Sequence, residues 1–167
     1  MCGISRVWAT YVTPDLVWRQ QSVELSVQCA VRLQNEGRHL LLCGDPVTAV
    51  EVVAAPSALR LHGVAFCVLD AAPEAQEAQL AERGDDPPLL VHHQAFAAWM
   101  RAQAADPQHM LNVVTEHGWT EVRWDRVPQT AEDWRVHVVD TTYLTPPDTA
   151  AAVLAWIKSA IASDETA

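Results

Sequence analysis

The apolar positions of this chain fall into two rhythms. Between residues 16 and 36 they recur at helical spacing, at Val23, Val27, Ala30 and Val31, which places them on one face of a helix. Asp15 stands ahead as a cap and Gly37 behind as a stop. Three other stretches are short, nearly continuous apolar runs, each ending in an aspartate: residues 37–46 (GRHLLLCGDP), 63–70 (GVAFCVLD) and 135–140 (RVHVVD). Such runs suit strands buried on both faces of a parallel sheet. Each leads into a loop and then helix. Residues 4–12 (ISRVWATYV) are β-branched and aromatic enough to form a further strand. Residues 47–55 are ambiguous between helix and loop, and Ser57 reads as the cap of a turn carrying Arg60.

After Asp70, Pro73 opens a helix that runs to about Arg83. The sequence GDDPP at 84–88 is a break. Residues 89–104 form a helix with Phe96, Trp99 and Met100 on one side, and Asp106-Pro107 starts another that ends near Gly118. Residues 119–124 (WTEVRW) alternate like a short strand or hairpin arm. Thr145-Pro146-Pro147-Asp148 begins the last helix, whose core stripe is Val153, Leu154, Ile157, Ala160 and Ile161. The pattern predicts a single α/β domain over residues 1–167: a three-layer sandwich on a mainly parallel sheet.

Ligands of open parallel sheets bind beyond the carboxyl ends of the strands. Asp45, Asp70 and Asp140 all fall there. Asp45 fits a catalytic base or metal ligand, although Gly-Asp-Pro also suits a plain turn. Asp70 reads rather as the cap of the helix opened by Pro73. Asp140, Thr141 and Thr142 suit a ligand or ordinary turn bonds equally well. His92 and His93 diverge on a helix, so they do not share a metal, but one facing the cleft can touch a phosphate. With His109 and His117 they give no H-x-x-x-H spacing, and no metal site is expected. Arg83, Arg101 and Arg123 either surround an anion or lie on solvated faces. Of the seven tryptophans, Trp99 and Trp156 read as core, whereas Trp18, Trp119 and Trp124 suit an apolar pocket wall as well as core. Trp18 and Arg19 join Arg83, Arg101 and His92 as substrate- or phosphate-binding candidates.

Composition narrows the partners. Eleven basic against twenty-one acidic residues leave a charge of −10, which disfavours nucleic acid and acidic membranes. No apolar run approaches a membrane span, and no secretory signal is visible. Four cysteines without C-x-x-C spacing point to a reduced cytoplasm. A small-molecule ligand is the expected partner.

From about Trp18 to Ile161 the chain resembles the small P-loop kinases of the nucleoside and nucleotide kinase superfamily, and within it a group of uncharacterised actinobacterial ATP-binding proteins. The stretches that carry this are GRHLLLCGDP, VAFCVLD, LAERGDDPPLLVHHQAFAAWM, DPQHMLNVV, GWTEVRW and the segment from VVDTT to LAWI. The resemblance implies a small-molecule phosphotransferase using ATP and Mg²⁺. It implies that Asp45 assists the acceptor hydroxyl or holds the metal. Residues 84–118 would form a lid, with Arg83 and Arg101 over the phosphates, and Thr141 and Thr142 would lie by the adenine. The chain departs from the family at residues 1–14, where no G-x-x-x-x-G-K-[ST] stands; its sole lysine is Lys158. A phosphate loop works through aimed backbone N–H groups and a lysine. The implied relative is therefore degenerate, and the strand that carries this loop is central to the family's sheet. Its slot is filled by residues 4–12, closed by the flanking strands, or covered by a second copy in a homodimer, unless the gene starts upstream. The opening Met-Cys-Gly-Ile resembles class II glutamine amidotransferases, but none of their further motifs follows.

Overall fold

The computed structural model describes residues 15–44 and 48–164. Helix α1 (Leu16–Asn35) begins where Asp15 accepts the Trp18 N–H at 2.7 Å and ends ahead of Gly37, which has φ +69°. Its apolar stripe, Val23, Val27 and Val31, packs with Ala55 in one cluster. Helix α2 (Ala49–Ala54) is short and strongly capped. The Thr48 hydroxyl accepts the Glu51 N–H, and the Glu51 carboxylate accepts from the Thr48 N–H. This reciprocal pair satisfies two otherwise orphaned donors at the helix start. Val50 and Ala54 join Val114, Val122, Val127 and Trp134 in the second cluster, against which Trp99, Trp119 and Trp124 also pack.

Strand β1 (Phe66–Asp70) pairs with β2 (Val136–Asp140) in parallel, with Phe66 opposite Val136 and Asp70 opposite Asp140. Parallel strands need a crossover, and here it is long. It holds α3 (Pro73–Arg83), α4 (Leu90–Ala105) and α5 (Asn112–Thr115). Helix α6 (Pro146–Asp164) follows β2. Side chains alternate across a sheet, so Phe66 and Val136 share one face. There Phe66 stacks on Trp134 at 5.9 Å, and Val136 meets the second cluster. The opposite face carries His137, which stacks on Trp156 of α6 at 5.9 Å. Helix α4 packs on both strands and on α3.

Several expectations change. Residues 38–44, the apolar part of the first Asp-ended run, form no strand; Leu41 and Leu42 are 59% and 47% exposed. A strand is held by a neighbour's ladder, and this segment has none among the described residues. The two strands present are not buried on both faces: Leu69 and Val138 are exposed. Residues 119–124 make turns rather than a hairpin arm, because Arg123 gives its N–H to the Ala54 carbonyl instead of to a ladder. The helix expected from Asp106 is mostly turn, with only α5 helical. Ser57 does not cap; its hydroxyl donates to buried Glu24 at 2.5 Å. Leu154 points out of the α6 stripe and is 52% exposed. Residues 4–12 and Asp45 lie outside the described residues.

Candidate functional site at the strand ends

The parallel register brings Asp70 and Asp140 to the same edge, side by side. Each is then engaged by its surroundings. Asp70 shares a face with Phe66, the face toward α4, and there it meets Arg101. The guanidinium clasps the carboxylate through two bonds, Nε to Oδ2 and Nη2 to Oδ1, both 2.7 Å. A planar fork on a carboxylate is the strongest geometry for such a pair. The clasp holds the Arg101 proton more firmly than in a free arginine. Asp70 thus does not cap α3, whose N-cap position is Ala72, with no side-chain cap bond.

The loop after β2 ties the same edge together. Thr141 donates both its N–H and its hydroxyl to the Asp70 carbonyl, at 2.7 and 2.8 Å. The Thr142 hydroxyl donates to Asp140 Oδ1 at 2.5 Å and accepts the Ala72 N–H at 2.9 Å. The Thr142 N–H also reaches Asp140 Oδ1, at 2.9 Å. These bonds, the hydroxyl first and the amide second, hold the exposed Asp140 carboxyl below the ordinary carboxylate range. The two threonines therefore lock the start of α3 to the end of β2.

The remaining candidates lie apart from this edge or hold other partners. Arg83 binds Asp85 through Nε at 2.8 Å and through Nη2, and His93 Nε2 stands 3.7 Å from the same carboxylate. Arg83, chiefly by its hydrogen bonds, keeps the Asp85 carboxyl low. Arg123 does likewise with Asp125. So each of the three arginines holds an aspartate of its own, and for two of them it lies two residues away. His92 is exposed on α4.

Trp18 and Arg19 stand together elsewhere, on the wall of a cleft between the start of α1, α4 and residues 109–114. Arg19 Nη2 is committed to Glu51 Oε1 at 2.7 Å. Sequence reasoning passed over Glu51, Gln20 and Glu24, all buried. Gln20 donates to the Val114 carbonyl and accepts the Trp119 N–H, both at 2.6 Å. It sits so close to Gly118 that a Cβ there would fall 2.7 Å from its Oε1. The signal for Glu51 was present: Thr48-Ala49-Val50-Glu51 has the spacing of a capping box.

Among the described residues no group of three or more His, Cys, Asp or Glu side chains could hold a metal ion, and no helix is long and apolar enough to cross a membrane. The described fold is mixed α/β with a two-stranded parallel sheet. Compared with known proteins, the chain matches no family model, no curated protein and no solved structure.

Proposed function

We propose that this is a P-loop-kinase-like, small-molecule-binding domain of three-layer α/β descent, a degenerate relative of the phosphotransferases. One observation carries the reading. The parallel pairing of β1 and β2 sets Asp70 and Asp140 side by side at the carboxyl edge, with Arg101 of the lid-like region 84–118 on Asp70. Ligands of open α/β sheets bind at that edge. An arginine beside it is a natural anion contact.

ATP and Mg²⁺ do not fit the described residues. Phosphoryl transfer rests on positioning and on positive charge over the transferred group. Arg83 and Arg101 each already neutralise an aspartate, and the sequence has no phosphate loop. The domain is accordingly a binder rather than an ATP-driven catalyst. A second reading, catalysis, is favoured by the Asp70–Arg101 pair, which would release both a carboxylate and a cation if a ligand phosphate displaced Asp70. Calorimetry of the full chain with MgATP separates the two. The expected result is no heat of binding at micromolar concentrations. Tight, Mg²⁺-dependent binding would overturn the degenerate reading in favour of the phosphotransferase.

A further inference from the structure

The cleft at the start of α1 has a volume of about 880 Å³, within the roughly 300–1,000 Å³ that small-molecule sites occupy. Its walls are Trp18 of α1, Phe96 and Trp99 of α4, and Met110, Val113 and Val114. Part of the wall is fixed. Val114 is fully buried, Trp99 packs on the second core cluster, and the Phe96 and Trp99 rings lie 5.8 Å apart. Other wall residues stay exposed. Met110 and Val113 are 55% and 50% open to solvent although both are apolar. Met110 is also held at φ +44°, a left-handed conformation that residues with side chains rarely adopt. Strain of this kind persists where surroundings over-determine it, often at ligand clamps.

Three ionisable residues, Asp15, Arg19 and His109, also line the cleft. Asp15 accepts the α1 amide of Trp18, and Arg19 serves Glu51. The rest of the lining is apolar, and a flat uncharged ligand finds three aromatic side chains on it. We propose that this cleft binds an uncharged, planar aromatic molecule of metabolite size, held by contact with Trp18, Phe96 and Trp99. Binding here requires nothing of the strand-end cluster.

The test is titration of the full chain with N-phenyl-1-naphthylamine, an uncharged aromatic fluorophore, followed by its emission and by tryptophan quenching. Two variants accompany it, Ala98→Trp and Val113→Trp, both at exposed positions on the cleft wall. The expected result is one-to-one saturable binding, weakened at least tenfold in one variant or both, with the circular-dichroism melt of that variant unchanged. Absence of saturable binding, or wild-type affinity in both variants, overturns the proposal. Because the probe carries no phosphate, its outcome is independent of the MgATP titration.

Discussion

Replacing Arg19 by methionine should cost the protein a large part of its stability. Glu51 has a side chain only 1% exposed, and Arg19 Nη2 is its nearest partner, at 2.7 Å. Without the guanidinium, Oε2 keeps the Thr48 hydroxyl at 2.9 Å and the Thr48 N–H at 3.4 Å, while Oε1 keeps only Gln20 Nε2 at 3.4 Å. Two of these three bonds are long, so a buried carboxylate is left nearly uncompensated. Breaking a buried pair by removing one partner costs about 3–5 kcal/mol. The Arg19 side chain is 21% exposed, which places the expected loss near the lower end, about 3 kcal/mol. For a chain of this length that lowers the melting temperature by roughly 6–12 °C. Urea unfolding followed by tryptophan fluorescence measures it. Arg19→Met combined with Glu51→Leu removes both charges and should regain most of the loss, since apolar replacement of a buried pair is often neutral. If Arg19→Met unfolds within about 0.5 kcal/mol of the wild type, or the double variant recovers nothing, then Glu51 does not depend on Arg19. The role of Arg19 as a free substrate contact would then reopen.

Two further outcomes follow from the site and the cysteines. Thr142→Val removes the first cause of the low Asp140 pKa, so the carboxyl should titrate closer to the ordinary aspartate range, as read by carbon NMR of the side chain. A depressed carboxyl contributes stability above its unfolded pKa and loses it as pH falls through the folded one. The gap in stability between wild type and variant should therefore narrow in acid, and a gap that widens there contradicts the assignment. Alkylation by iodoacetamide near neutral pH should modify exposed Cys43 before Cys67, whose thiol burial pushes up, and before buried Cys29. Peptide mass spectrometry gives the order, and equal rates at Cys43 and Cys67 would contradict it.

Local rules were enough for the long helices. Asp15 and Gly37 bracket α1, Pro73 and Gly84 bracket α3, and Pro146 opens α6. Each boundary is decided by a cap or a proline ring acting within a turn of the chain. The β1–β2 pairing was legible too, because both segments are short apolar runs ending in aspartate, the kind that parallel strands carry. Three things were not legible. Residues 38–44 carry the same pattern as β1, yet a strand exists only against a neighbour, and none is there among the described residues. The use of Asp70 was decided by Arg101, thirty-one positions away, and not by the adjacent helix start. The burial of Gln20, Glu24 and Glu51 was not legible either; packing of α1 against α2, Ser57 and residues 114–119 buries them and brings Gln20 to Val114 and Trp119, Glu24 to Ser57 and Glu51 to Arg19. Capping energies act over three or four residues and are written in order along the chain. The partners of buried charges and strand edges come from distant residues, and only the packed fold brings them within hydrogen-bonding reach.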